Sequence, residues 1–498
     1  MSIFNEIKKI SKKYPDKIAL IVGNNQYTYS ELIKDVEAVS MFFINLKIKS
    51  KDKVGVIENN TIEFILIFLA LSNIGAIIIP LSTSYTKKMI YDNFINLKID
   101  HLILWYKYLN YFKNKKLNLK NLITTDKKIK NVTFFNDYKN FKYAKKKINF
   151  KKHYNNFLIC LTSGSTNKPK PIVLSQKTKI LRSIAARKLY KINNNDTVLT
   201  PSPLDHTLGQ RIFLLPLLAG GTSVVLKVFT IFNFYEAIKK YDVSFTILVP
   251  NQISEIVKNR NEFKNFYIKK GIVSASSKLS SNLKNKLIRN KIKIYEMYGA
   301  SEIGTATSIC LNTDKDKFKS VGKQYDNIKV KVLSKQEKFL QKHKVGEIVC
   351  KTPYIFSKYY KLNKETKDSF YKNYFKTGDI GYIDEKNYLY YLGRKKNIIK
   401  VSGNMVYAED VENLILRNKN ISEAIVFGLS DKQDLEKIVL CVIPKKKDYS
   451  KENLQLYCQK NLASFQQPSN ILFFNSFSKT NLGKLDRPKI KKEILKKL

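Results

Sequence analysis

Between residues 53 and 299, short β-rich apolar runs alternate with stretches of helical spacing. The runs are KVGVIE (53–58), AIIIPL (76–81), HLILWY (101–106), FLICLTS (157–163), TSVVLKV (222–228), SFTILVP (244–250), GIVSAS (271–276) and IKIYEMYG (292–299). Strand–helix alternation of this kind builds parallel sheets covered by helices on both faces. No repeat period is visible. One stretch, FILIFLALSNIGAIIIPL from Phe64 to Leu81, approaches the length of a membrane span. Asn73 and Gly75 interrupt it and Pro80 closes it, so it reads as a buried helix, a glycine stop and a buried strand.

At 498 residues the chain is too long for one ordinary domain. The residues from about Lys107 to Lys152 are the most loosely patterned and read as surface connection or a variable insert. After Gly393 the character changes. The runs NIIKVSGNMVYAEDVENLILRN, SEAIVFGLSD and KIVLCVIP make a compact α+β unit behind the polar join Lys395-Lys396-Asn397.

The formal net charge of +49 suggests a polyanion partner, but its distribution argues otherwise. The charge is nearly all lysine, spread over the whole length and accompanied by Asn, Ile, Tyr and Phe, as expected of drift under AT-rich coding DNA. Arginine, which makes the bidentate contacts to bases, occurs only at 182, 187, 211, 260, 289, 394, 417 and 487. Specific nucleic-acid binding is therefore not expected. Cys160, Cys310, Cys350, Cys441 and Cys458 form no CxxC pair and are odd in number, which points to reduced thiols in a cytoplasmic compartment. His101, His153, His206 and His343 form no cluster with zinc-ligand spacing. The first twenty residues carry acids and no continuous apolar core, unlike a secretory signal.

The strongest local signal is LTSGSTNKPKPIVLSQ (161–176), which follows the strand-like FLIC. Such a loop offers backbone N–H groups, hydroxyls and ammonium groups to phosphate oxygens. It lacks the spacing of a Walker A loop. Four further segments follow in order: Tyr298-Gly299-Ala300-Ser301-Glu302, Lys376-Thr377-Gly378-Asp379, Gly393-Arg394-Lys395-Lys396 and Thr480-Asn481-Leu482-Gly483-Lys484. Alone, Glu302 or Asp379 reads more readily as a helix cap or surface acid, and Lys484 as one lysine among dozens. Together and in this order, the segments resemble the superfamily of acyl-CoA synthetases, adenylation domains of nonribosomal peptide synthetases and firefly-type luciferases. The resemblance covers essentially the whole chain.

It implies an α/β fold, with a large N-terminal domain of layered sheets (1–393), a small C-terminal α+β domain (397–498) and the active site in the cleft between them. It implies that Thr162, Ser163, Gly164, Ser165, Thr166 and Lys170 hold the β- and γ-phosphates of ATP. Tyr298, Gly299 and Ser301 would border the nucleotide, and Glu302 would bind Mg²⁺. Asp379 would accept the ribose hydroxyls with Arg394 as its cationic partner, and Lys484 would reach in to the α-phosphate. Lys396 matches the hinge, and Gly403 the face serving the second half-reaction. The implied substrates are a carboxylic acid, ATP and coenzyme A, with a carrier-protein phosphopantetheine as the alternative acceptor. A monomer or a dimer is expected.

The chain departs from the family pattern at Asn167 and Pro171, where glycine is usual, and at Ser478, where proline is usual. Ser274 to Leu279 replaces a Gly/Ala-rich segment that contacts adenine. PLDHTLG (203–209) resembles the PLxHxxG pattern whose histidine, here His206, borders the acyl pocket. In another register Asp205 would grip the amino group of an amino acid, or it could simply cap a helix.

Overall fold

The computed structural model describes residues 2–113, 115, 117–141, 156–161, 170–259, 267–401, 404–430, 436–446, 448–480 and 483–495. Among the described residues, three sheets make up the large N-terminal part. The first has nine strands, in the order Lys323–Gln324, Gly304–Cys310, Ile294–Ala300, Gly271–Ser274, Phe245–Leu248, Thr197–Thr200, Thr222–Val225, Ile18–Val22 and Asn25–Thr28. Its centre is parallel and its two edges are antiparallel. A second sheet of eight strands is built around Lys53–Ile57, Ile77–Pro80 and His101–Leu104 in the same parallel manner. All eight runs named above contain a strand.

The long apolar stretch folds as anticipated. Ile62–Ile74 is a helix nearly all of whose residues are buried, closed by Gly75 in the left-handed conformation at φ 73°. Ile77–Pro80 is then a fully buried strand. Phe68 of this helix lies edge-on to both Phe157 and Phe213, at 5.0 and 5.4 Å between ring centroids, tying the two sheets through one core. No helix among the described residues is long and apolar enough to cross a membrane.

Two expectations need correction. The segment after Lys107 is not simply connection, because Asn121–Thr124 and Thr133–Phe134 extend the second sheet in parallel register. Their brevity and flanking lysines hid them. The layered sheets also include an antiparallel one that the reading of strands overlooked, formed by Lys329–Leu333, Gly346–Lys351, Phe370–Tyr371, Tyr374–Ile383 and Leu389–Arg394. Lysines, glycines, tyrosines and acids are interspersed along these strands (KVKVL, GEIVCK, YFKTGDIGYI, LYYLGR), so they lack the continuous apolar runs of the parallel strands.

Beyond the Lys395–Asn397 turn lies the small α+β part. It contains the hairpin Ile398–Val401/Asn404–Tyr407, a three-stranded sheet of Ile421–Ser430, Glu436–Pro444 and Asn470–Phe473, and helices including Ala408–Ile415 and Arg487–Leu495. It has buried clusters of its own on both faces of that sheet.

Candidate active site

A cleft of about 2280 Å³ opens between the two parts. Its floor is the Ile294–Ala300/Gly304–Cys310 hairpin. Gly299 sits where a Cβ would meet the Gly304 carbonyl oxygen at 2.0 Å, so only glycine lets the two strands approach there. The turn of this hairpin presents Ser301 and Glu302. Arg182 clamps it from below, donating to the carbonyls of Ser301 (3.0 Å), Glu302 (2.9 Å) and Tyr354 (3.0 Å). The Ser301 hydroxyl lies 3.1 Å from that of Thr207. The Glu302 carboxylate lines the cleft and accepts from the Tyr359 hydroxyl at 3.0 Å.

Across the cleft, Asp379 projects from the central strand of the antiparallel sheet and is 4% exposed. It accepts from the Tyr298 hydroxyl at 2.6 Å, and Arg394 Nε of the adjacent strand lies 3.0 Å from its other oxygen. Arg394 also donates to the Thr377 carbonyl at 2.9 Å. Burial pushes the Asp379 carboxyl upward while the Arg394 charge opposes it. Burial and the nearby Asp379 carboxylate push the Tyr298 phenol well above its usual range.

Lys484 comes from the small part and enters the same cleft. Burial, aided by the Arg394 charge and opposed by Asp379, lowers its ammonium to about 8. The turn that carries it docks on the large part, where the Asn251 amide donates to the Gly483 carbonyl. Gly483 has φ +69°, a conformation that L side chains rarely adopt. Lys395, Lys396 and Asn397 line the cleft at the crossing between the parts, and Lys395 pairs with Glu347 at 2.7 Å.

The fold therefore brings Tyr298, Gly299, Ser301, Glu302, Asp379, Arg394, Lys396 and Lys484 to one cleft, from four stretches of sequence. Thr162, Ser163, Gly164, Ser165, Thr166, Asn167 and Gly403 lie outside the described residues. The first strand residue after the 161–170 segment is Pro171, at the opening position of a strand, where a missing N–H is tolerated. Just before it, the Lys170 ammonium sits 5.0 Å over the Tyr359 ring. Ser276, Ser277 and Lys278 line the cleft, and Ser276 has φ 78°. Ser478 donates to Glu493 at 3.0 Å.

His206 also lines the cleft, but Asp205 points into an adjoining cavity of about 510 Å³ with Glu58, Asn60 and Lys227. Asp205 does not cap the Thr207–Leu217 helix. His206 is the N-cap residue, and no side chain caps that helix. Neither acid of the pair Glu302 and Asp379 is a helix cap. Sequence reasoning missed Tyr359, Arg182, Lys179 and Arg211. The scarcity of arginine was the one available signal for two of them.

The AMP-binding enzyme family matches residues 7–360, and the AMP-binding enzyme C-terminal domain matches residues 410–484. The chain belongs to the AMP-binding enzyme family. This AMP-binding enzyme is 26% identical to the oxalate–CoA ligase of Arabidopsis thaliana, over 99% of its own length and 98% of the relative's. It superposes on the O-succinylbenzoate coenzyme A synthetase of Bacillus subtilis in complex with AMP at a TM-score of 0.87, with 19% identity and 98% of each chain covered. It superposes on the amide bond synthetase McbA of Marinactinospora thermotolerans at a TM-score of 0.88, with 18% identity and 99% of each chain covered. A large N-terminal domain with a small C-terminal one is the architecture of these structures.

Proposed function

We propose that this enzyme activates a carboxylic acid with ATP as the acyl-adenylate and transfers the acyl group to the thiol of coenzyme A. The observation that carries the reading is the position of Lys484, which lines the cleft near the Asp379–Arg394 pair although it comes from the other part of the chain.

In the first half-reaction a carboxylate oxygen attacks the α-phosphorus of ATP and pyrophosphate leaves. Negative charge builds on the oxygens around that phosphorus, and a preorganised ammonium in a water-poor cleft stabilises it where bulk solvent would not. Asp379, held by Tyr298 and Arg394, is placed to accept the ribose hydroxyls. In the second half-reaction the thiol sulfur attacks the acyl carbonyl, AMP leaves, and the thiol proton passes to solvent.

Glu302 suits a divalent cation. One of its oxygens takes the Tyr359 hydroxyl, and no group of three acids, histidines or cysteines suited to a metal occurs among the described residues. A single carboxylate completed by substrate phosphates and water is the usual arrangement for Mg²⁺. Bound there with ATP, Mg²⁺ would neutralise phosphate charge.

We place the domain boundary at 393–397 with Lys396 as the hinge. The Lys395–Asn397 turn joins the last strand of the antiparallel sheet to the first strand of the small part.

The test is pyrophosphate release from MgATP across fatty, aryl, dicarboxylic and amino acids, followed by AMP release on adding coenzyme A or a phosphopantetheinylated carrier protein. Acid-dependent pyrophosphate release and coenzyme A-dependent AMP release are expected. Adenylate that discharges only to the carrier protein, or only to an amine, would replace the proposed acceptor.

A further inference from the structure

The wall of the cleft around His206 holds a buried and a half-buried cation that the proposed adenylation chemistry does not use. Lys179 lies on the Gln176–Tyr190 helix and Arg211 on the Thr207–Leu217 helix, and both line the cleft with His206, Leu208 and Met297. Lys179 is 5% exposed and donates to the Gln210 side-chain oxygen at 3.0 Å. Arg211 donates to the Thr305 hydroxyl at 2.8 Å and faces the Met297 sulfur at 3.5 Å, while its Nε is buried without a hydrogen-bond partner.

Lys284, buried to a degree similar to that of Lys179, has Glu296 as its counter-ion, while Arg182 spends its donors on three carbonyls. Among the described residues no carboxylate pairs with Lys179 or Arg211. Burial, with the charges of Arg182 and Arg211 adding and Cys160 opposing, lowers the Lys179 ammonium to about 7. An uncompensated buried charge is costly, and two facing one cavity repel each other. An anion entering the cavity relieves both costs. Gln210 is not that partner, since it is neutral and its amide is already committed to the Leu204 carbonyl at 2.9 Å.

We propose that the acid this enzyme activates carries a second anionic group, a carboxylate remote from the reacting one, bound by Lys179 and Arg211. The inference rests on the acyl-adenylate reading above and names the substrate class of that site. The reacting carboxylate faces Lys484, and the remote one lies against the His206 wall. A guanidinium offers a carboxylate two parallel donors, which a neutral amide or hydroxyl cannot match in strength.

The test uses the full chain and acid-dependent ATP–pyrophosphate exchange. Substrates are straight-chain monocarboxylic acids, the matching ω-amides and the matching dicarboxylic acids, with benzoate and its carboxylated isomers as the aryl arm. The expected result is a preference in kcat/KM for dicarboxylates over matched monocarboxylates of about tenfold to hundredfold, the size of one charge-assisted buried contact. Arg211→Leu and Lys179→Met should each collapse that ratio, and Arg211→Lys should keep part of it. In thermal melting, dicarboxylates should raise the Tm of the unsubstituted protein more than that of Arg211→Leu, which also reports whether the variant folds. Monocarboxylates or ω-amides exchanging as well as dicarboxylates would overturn the inference and leave the ligase reading standing. An absence of exchange with every acid would overturn both.

Discussion

In the proposed reaction Lys484 is the residue on which the chemistry turns, and its environment predicts a pH limb. Burial pulls its ammonium down to about 8, and the stabilising form is the charged one. The charged form is complete well below that value and is lost as pH rises through it. The kcat/KM for acid-dependent pyrophosphate release, which reports the free enzyme, should therefore fall on the alkaline side with an apparent pKa near 8. Lys484→Arg, whose guanidinium keeps its proton, should remove that limb whatever its rate. A limb that persists unchanged in the arginine variant would assign the titration to another group. At this scale the candidate site was partly legible. Glu302, Asp379, Arg394 and Lys484 stood out through the order of their motifs. Lys179 and Arg211 did not, because each reads as one more basic residue within a helical stretch. Their significance lies in the counter-ion they lack, which only three-dimensional neighbours reveal.

Among the elements, the Ile62–Ile74 helix is the one whose packing the rest depends on. Phe68 is fully buried, and its ring meets Phe64, Phe157 and Phe213. Truncation removes those contacts and leaves a cavity the surrounding sheets cannot close. Phe68→Ala should lower the unfolding free energy by about 3–5 kcal/mol, read from denaturant midpoints at constant slope. A loss below about 1 kcal/mol would mean the core collapses around the gap. The parallel strands were legible because strands buried on both faces are continuous apolar runs. The antiparallel sheet that carries Asp379 and Arg394 was not. Its strands mix lysines, glycines, tyrosines and acids among their apolar residues, which breaks up the apolar runs.

For the whole molecule, the charge of +49 predicts attraction to any polyanion but gives no means of reading a sequence. Binding to duplex DNA should be indifferent to sequence, steeply salt-dependent and largely gone by physiological ionic strength. A fluorescence anisotropy titration at two salt concentrations checks this, and tight, sequence-selective binding at the higher one would contradict it. Division into two parts was visible in the change of pattern after Gly393. That Lys484 crosses back into the large part's cleft rested on resemblance alone, since no local pattern encodes so distant a contact.

That crossing is the central claim, and comparing the two half-reactions in Lys484→Ala tests it most directly. Acid-dependent pyrophosphate release should fall by at least about 10²- to 10³-fold, the usual scale for removing one preorganised charge from a transition state. Thioester formation from supplied acyl-adenylate and coenzyme A should largely survive in the same preparation, because the thiol attacks the acyl carbon and no bond to the α-phosphorus forms or breaks in that step. Equal loss of both half-reactions would contradict the assignment of Lys484 to the adenylation step alone.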